Sequence, residues 1–469
     1  MYRSKRIVIL LAVLAVCCVA AFAALQVQER QERIETSGEV VLEIDSDAVQ
    51  TLSWTYEGET LSFHRDGDWL YDGDETFPVD GEKVGELLET FQSFAAAFVI
   101  EEVEDPSQYG LDDPVCTITL GTGENNYEIL LGDFSAMDSQ RYVSIGDGKV
   151  YLAASDPLDQ FDAGLRDMIN HDDIPELDQV TRLRFDGVEN YTVTYEEDNS
   201  ASWCEEDIYF TQRDGKTLPL DTGRVEDYLH NISYLAPNNY VTYHATEEEL
   251  ASYGLDEPEL TVTVDYTAED RAEEKASGTL ILHISRDPEE RLAAQEAADT
   301  GETEEEETIT AYLRVADSQI VYQITSEDYQ ELMAASYNDL RHQEVLSADF
   351  GDIRQIEVTL EGASHTLTAQ GEGEDRTWLY QGEEVDISAF QEALESLSAD
   401  SFTDERPSQR QEIALTVYLD NDAFPQVAVE LYRWDGEHCL AVVDGEPVSL
   451  VARSGAVDLI EAVQAIVLN

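Results

Sequence analysis

Tyr109-Gly110-Leu111-Asp112-Asp113-Pro114 returns almost letter for letter as Tyr253-Gly254-Leu255-Asp256-Glu257-Pro258. Self-similarity constrains a fold more than local propensity does, because each copy must adopt the same supersecondary unit. The letters around the motif describe a helix stop. Asp105-Pro106 has the form of an N-cap with proline at the first helical position. Gly110 is then free to adopt the left-handed conformation, and Leu111 is placed for the apolar contact of a Schellman cap. In the second copy Thr246-Glu247-Glu248-Glu249 is a capping box, Leu250 to Tyr253 a short helix, and Gly254-Leu255 its stop. Pro114 and Pro258 follow, each launching a strand, Thr117-Ile118-Thr119-Leu120 and Thr261-Val262-Thr263-Val264. Tyr109, Gly110, Leu111, Asp112 and Pro114, with Tyr253, Gly254, Leu255, Asp256 and Pro258, therefore read as a structural motif.

The flanking pattern extends the repeat. Thr51 to Tyr56 and Leu61 to His64 alternate around Glu57-Gly58, and Trp69-Leu70-Tyr71 follows Asp66-Gly67-Asp68, which predicts an antiparallel meander. From Gly81 to Phe98 the apolar spacing turns helical through Val84, Leu87, Leu88, Phe91 and Phe94. Downstream of the motif, Tyr142 to Ile145 and Val150 to Leu152 flank Asp147-Gly148, and Tyr312 to Val315 and Ile320 to Tyr322 flank Asp317-Ser318. A third copy appears as Cys439 to Val443, Asp444-Gly445 and Val448 to Leu450. Ser155, Ser326 and Ser454 stand after these hairpins where a helix N-cap belongs. Trp378-Leu379-Tyr380, after Glu361-Gly362, echoes Trp69-Leu70-Tyr71, yet the third copy has Arg406-Pro407 where the Tyr-Gly-Leu-Asp letters should be. In the second copy the interval from motif to hairpin is longer by a stretch that contains Glu302 and Glu304 to Glu307, which predicts a disordered acidic insert over 287–308.

The expected fold class is α+β: an N-terminal transmembrane helix followed by three tandem antiparallel-sheet-plus-helix units, the third degenerate. The boundaries are 1–25 for a basic tip and anchor, 26–44 for a juxtamembrane stalk, 45–175 and 176–346 for the first two units, and 347–469 for the third. The anchor rests on Ile7 to Leu25, an uncharged run preceded by Arg3, Lys5 and Arg6. As a helix it nearly spans a hydrocarbon core of about 30 Å, and the basic cluster keeps the N-terminus cytoplasmic and sends the rest across. A cleaved signal peptide is the rival reading, since Ala21-Phe22-Ala23 has a small-residue cleavage pattern.

Net charge excludes a class of partner. With 101 acidic against 27 basic residues, a charge of -74 repels DNA and RNA. Cys116, Cys204 and Cys439 are three scattered thiols outside the apolar segment, best read as small buried hydrophobes, and no Cys-x-x-Cys pair exists. The histidines at 64, 171, 230, 244, 283, 342, 365 and 438 form no His-x-x-x-His or His-Glu-x-x-His pair. No Gly-x-Ser-x-Gly elbow and no phosphate-binding loop occurs. Asp112-Asp113 and Asp256-Glu257 are the only acidic pairs that recur at equivalent positions. Their plain role is turn chemistry, with the first acid accepting backbone hydrogen bonds before the proline. No catalytic, cofactor-binding or metal-ligating residue is assigned, and no cofactor.

An apolar N-terminal segment, Trp-Leu-Tyr before an amphipathic helix, Tyr-Gly-Leu-Asp-x-Pro leading into strands, and a Tyr-Val-x-x-Gly-Asp-Gly hairpin together resemble the bacterial domain-of-unknown-function 4340 family. The likeness is strongest around Trp69 to Asn170 and Tyr253 to Leu340. It implies a membrane-anchored accessory or scaffold protein without enzymatic activity, encoded near gliding-motility-related ABC transporters, with permease and ATPase subunits as partners. A binding module for envelope glycan or a cationic ligand is the alternative, and an envelope hydrolase the third.

Overall fold

The computed structural model describes residues 38–187, 189–197, 201–204, 206–269, 275–300, 308–371 and 376–468, and the chain divides into two compact units, one ending at His171 and one beginning at Asp172. The first contains one nine-stranded antiparallel sheet and the second contains two. The predicted anchor and most of the stalk, residues 1–37, lie outside the described residues. No helix among the described residues is long and apolar enough to cross a membrane.

The first sheet is built from β1 (Glu39–Leu42), β2 (Val49–Tyr56), β3 (Glu59–Asp66), β4 (Asp68–Tyr71), β5 (Phe94–Ile100), β6 (Cys116–Thr122), β7 (Asn126–Ser135), β8 (Gln140–Ser144) and β9 (Val150–Ala153). Edge to edge it runs β1-β5-β9-β8-β7-β6-β2-β3-β4. The β2–β3 turn needs positive φ at both central residues, and Glu57 (φ 49°) and Gly58 (φ 84°) supply it. That turn sets a register in which Leu52 faces Phe63 and Trp54 faces Leu61, so these four side chains form a buried apolar patch on one face of the hairpin. Trp54 stacks on Phe63 at 5.5 Å, and its indole N–H donates to the Ala163 carbonyl at 3.1 Å, which satisfies the one polar atom the ring buries.

Two meanders meet at the middle of this sheet. The first, β2-β3-β4, builds outward to one edge. Helix α1 (Gly81–Gln92) then carries the chain across the sheet, and β5 pairs near the opposite edge. Asp80 caps α1 by accepting from the Glu82 and Lys83 amides, and Val84, Leu87, Leu88 and Phe91 form its buried stripe. At about 2 kcal/mol for each fully buried side chain, that stripe holds the helix on the sheet far more strongly than propensity does. The helix is shorter than its apolar spacing suggests: Ser93 leaves the helical region at φ -152°, and Phe94 to Phe98 belong to β5. The second meander, β6 to β9, starts in the centre against β2 and works back to β5.

The second and third sheets repeat this order. From the edge equivalent to β5, the second runs Tyr240–Thr242, Val321–Ile324, Ala311–Val315, Lys275–Arg286, Leu260–Glu269, Gln179–Asp186, Tyr191–Tyr195, Tyr209–Arg213 and Lys216–Pro219. The third runs Ala399–Phe402, Glu446–Ala452, His438–Val443, Gln426–Arg433, Gln411–Leu419, Ile353–Leu360, Ala363–Gln370, Thr377–Tyr380 and Glu383–Val385. Eight strand positions correspond across all three. The ninth differs: β1 flanks β5 in the first sheet, whereas the others add a strand beyond the opposite edge. The crossing helix also recurs, as Thr222–Ser233 and Ser388–Glu395.

The third sheet keeps the order without the capped turn, since residues 403–410 join two strands with no helical segment. Its closing helix, Arg453–Val467, is the longest described and packs against Ser388–Glu395. Four local expectations need correction. Ser155 does not cap a helix, because the short Leu158–Phe161 helix starts after Pro157. Thr325, not Ser326, caps Ser326–Met333 in a box with Asp328, and Ser454 lies inside a helix that has no side-chain cap. The acidic insert is not disordered throughout: Pro288–Thr300 is a helix, and 301–307 lie outside the described residues. Its start is well specified, with the Asp287 carboxylate accepting from the Glu289 and Glu290 amides, and Pro288 at the first position needs no amide partner. Composition alone hid a helix that Ala293, Ala294 and Ala297 favour.

Candidate functional site

The repeated motif lies immediately before the central strand of each of the first two sheets. In the first copy Asp105 accepts from the Ser107 amide at 3.1 Å, and Pro106–Tyr109 forms one turn of 3-10 helix. Gly110 sits at φ 68°, ψ 21°, and the Leu111 amide reaches back to the Pro106 carbonyl at 3.2 Å, the long hydrogen bond of a Schellman cap. The second copy has Thr246 and Glu249 capping each other reciprocally, Gly254 at φ 70°, and the Leu255 amide bonded to the Leu250 carbonyl at 2.8 Å. Leu111 and Leu255 are both buried. The motif tyrosines have matching partners too: Tyr109 packs on Tyr142 with ring centroids 5.0 Å apart, and Tyr253 on Tyr312 at 4.7 Å. Each therefore joins the helix stop to the second meander.

Close backbone approach completes the arrangement. A Cβ on Gly132 would lie 2.1 Å from the Tyr109 carbonyl oxygen, and one on Gly110 would lie 2.9 Å from the Asp133 amide nitrogen. The two glycines let the motif lie flat on an irregularity in β7, where the register shifts between Leu131 and Phe134. Pro114 and Pro258 are half-buried, while Asp112, Asp113, Asp256 and Glu257 are exposed. Contrary to the expectation from turn chemistry, the Asp112 and Asp256 side chains accept no hydrogen bond among the described residues. The motif brings no reactive groups together.

A second locus, not legible as a motif, gathers around His342. Asp221 caps the Thr222–Ser233 helix, and its amide donates to the Leu340 carbonyl at 3.0 Å. The chain leaves Tyr337–Leu340 in extended form, with Arg341 at φ -83°, ψ 163°. It is then fixed by the Glu344–Ser398 bridge and by the Ala399 amide donating to the Gln343 carbonyl at 2.8 Å. In an extended stretch residues i and i+2 share a side, so His342 and Glu344 face the same way. His342 Nε2 pairs with Asp207 Oδ1 at 2.9 Å, and Nδ1 stands 3.9 Å from Asp221 Oδ2 and 3.8 Å from Glu344 Oε2. Asp207 is only 1% exposed, and its other oxygen accepts from the Ser202 hydroxyl at 2.5 Å.

Burial alone would lower the His342 pKa, but the hydrogen bond to Asp207 and the neighbouring Glu344 and Asp221 carboxylates raise it to about 9. Pairing with His342 in turn holds Glu344 down at about 2. The serine is bonded to the aspartate and not to the imidazole, so the trio lacks the geometry of a Ser-His-Asp relay. A solvent-open cavity of about 470 Å³ lies alongside, lined by Arg224, Tyr228, Asn338, Gln343, Asp400 and Phe402 among others. Next to it the Arg341 guanidinium packs over the rings of Phe402 at 4.2 Å and Tyr337 at 4.9 Å.

Other described histidines stand apart, each with its own neighbour: His64 with Asp72, His283 with Thr261, His365 with Tyr380, His438 with Asp435. Cys116 and Cys439 are fully buried free thiols, and Cys204 is half-buried. The sequence carried one usable hint of the His342 locus, the His-x-Glu spacing of His342 and Glu344. Nothing in it linked those residues to Asp207 and Asp221 more than a hundred positions away.

Comparison with known proteins agrees with the repeat. The family described as Domain of unknown function (DUF4340) matches residues 69–248 and again 213–415. The two windows begin 144 residues apart, at 69 and 213, which is also the separation of Tyr109 and Tyr253. Each window opens in or at the end of the third strand of a first meander, so the family unit and the sheet share one period. No curated protein matches the chain. With the two windows together spanning most of its length, the chain belongs to the DUF4340 family.

Proposed function

We propose that this protein is a non-catalytic, membrane-anchored accessory or scaffold subunit of the bacterial cell envelope that partners an ABC-type transporter. The observation that carries the reading is the tandem of three sheets with one strand order, set behind an uncharged N-terminal run from Ile7 to Leu25. Repeated units offer extended surfaces suited to protein partners rather than a single enclosed cleft. The longest sequence match between the first two copies, the Tyr-Gly-Leu-Asp turn, uses its residues for a helix cap, a ring contact and close backbone packing. With a charge of -74, the chain has no affinity for nucleic acid and favours partners with basic surfaces. In this reading the apolar run holds the protein in the cell membrane with its N-terminus cytoplasmic and its sheets outside.

Purification of the full chain from its native membrane in mild detergent tests the proposal. Recovery with a permease and an ATPase subunit in fixed ratio is the expected result. Recovery of the chain alone, or from the soluble fraction without its first residues, contradicts it.

A further inference from the structure

We infer that Asp221, His342 and Glu344 form a binding site for one divalent transition-metal ion of the zinc type, with Asp207 as the group that orients the histidine. The inference is independent of any transporter partner and rests on the geometry of four side chains.

The first observation is the state of the imidazole. Its side chain is 17% exposed, and Nε2 is taken by the buried Asp207 carboxylate at 2.9 Å. Nδ1, in contrast, makes no hydrogen bond among the described residues. It looks instead toward two carboxylate oxygens at 3.8 and 3.9 Å, too far for hydrogen bonds. A carboxylate that accepts from one ring nitrogen and turns the other toward further carboxylates is the usual support of a metal-bound histidine, because once a metal displaces the Nδ1 proton it fixes the ring orientation and raises the basicity of the ligating nitrogen.

Spacing is the second observation. One nitrogen and two oxygens from these three residues lie within 4.8 Å of one another. Zinc bonds of about 2.0 to 2.2 Å at tetrahedral angles place ligand atoms roughly 3.3 to 3.5 Å apart. The His342 distances therefore need to contract by only about half an ångström, within reach of Glu344, whose side chain is 46% exposed. One imidazole with two carboxylates suits zinc or a neighbouring first-row ion, whereas calcium and magnesium favour larger, all-oxygen shells. Three protein ligands leave a fourth position for water or a partner's donor.

Charge balance points the same way. Asp207, Asp221 and Glu344 bring three carboxylates to one imidazole, so the cluster is net negative even with that ring protonated, and besides the ring the nearest cation is Arg224, 3.6 Å from Asp221 Oδ2 and 43% exposed. A metal ion would replace that loose contact and leave the guanidinium its bond to the Asp339 carbonyl. The site would also act as a clip. Asp221 begins the helix that crosses the second sheet, and Glu344 bridges to Ser398, which leads into the first edge strand of the third.

Titration of the untagged full chain with Zn2+ in physiological salt and millimolar Mg2+ tests the inference, with Co2+ as a spectroscopic substitute. Expected are one equivalent bound at micromolar or tighter affinity, a raised melting temperature, and the intense visible bands of four-coordinate Co2+. H342Q and E344Q should each weaken binding by at least about tenfold, and D207N by about 10- to 100-fold. Circular dichroism checks that the variants fold, and E344Q carries the test alone if H342Q does not. Weak binding of several ions that H342Q or E344Q leaves unchanged overturns the site and assigns the uptake to scattered surface carboxylates.

Discussion

Replacing Gly110 by alanine isolates what the repeated motif requires. Two costs add at this position. The backbone sits at φ 68°, which costs an L-residue roughly 1 to 2 kcal/mol. The new Cβ would also lie 2.7 Å from Asp133 Cγ and 2.9 Å from the Asp133 amide nitrogen. The carboxylate is exposed and can swing away, but the backbone nitrogen belongs to β7 and cannot. Overpacking of that kind adds about 1 to 3 kcal/mol, for a total of about 2 to 5. Gly58 is the internal control within the same compact unit: at φ 84° it has nothing within 4 Å of an added methyl, so G58A should cost only the conformational part, about 1 to 2 kcal/mol. Gly254 falls between them, since its closest contact is the rotatable Ser285 hydroxyl at 2.7 Å. At about 2 to 4 °C per kcal/mol for a unit of this size, G110A should lower the melting temperature by roughly 4 to 20 °C and G58A by roughly 2 to 8 °C. A chain of several sheets need not unfold in one step, so the melt is best paired with hydrogen exchange that reads β6 and β7 directly. If G110A costs no more than G58A, the close-approach account of the motif is wrong.

Further consequences concern buried charge, thiols and pH. Arg141 donates through Nε to both oxygens of Asp156, at 2.7 and 2.9 Å, and through Nη1 to the Gly132 carbonyl at 2.8 Å, with both side chains nearly buried. R141M should therefore cost about 3 to 5 kcal/mol in urea unfolding, and adding D156L should recover much of it; equal losses for the single and double variants would contradict the pairing. Burial pushes the Cys116 thiol up to about 12, so at pH 8 its alkylation, followed by mass spectrometry, should be more than roughly a hundredfold slower in the native chain than in urea. Fast native labelling would show that the thiol is reachable and ionised. Burial, followed by the Arg314 charge, lowers the His283 pKa below its ordinary 6.5. The unfolded state then binds the extra proton, so this contribution is intact above pH 6.5 and is lost as pH falls through the lower folded value. H283L should flatten the stability curve as pH falls below 6.5, and an unchanged limb would rule out that role.

What could be read from the letters follows a physical divide between local and assembled features. Hairpins whose turns need positive φ announce themselves, and Glu57-Gly58, Glu361-Gly362 and Asp444-Gly445 all occupy that region. Those turns, with Trp378-Leu379-Tyr380, revealed the third sheet although its capped turn is gone. Helix ends were harder. Phe91 and Phe94 keep a helical spacing across Ser93, and only the backbone break there shows that Phe94 opens a strand. Pro288–Thr300 was hidden by its neighbours' charge, because a run of glutamates reads as self-repelling whether or not a well-capped helix precedes it. The His342 locus was the least legible, since Asp207, Asp221 and His342 meet only after a helix has crossed one sheet and the chain has reached the next.

The central claim is that one unit, two meanders joined at a central strand pair, occurs three times in this chain. Hydrogen–deuterium exchange of the full chain, followed by mass spectrometry, tests it most directly. In each sheet the strand that opens the second meander pairs with the opening strand of the first at the centre of the sheet, so 116–122, 260–264 and 411–419 should be the slowest-exchanging segments, with the edge strands 39–42, 240–242 and 399–402 faster in all three. Equal protection profiles across the three sets support a thrice-repeated unit. Rapid exchange at 411–419, beside slow exchange in the first two, would contradict it and leave the chain with two such units and an unrelated C-terminal region.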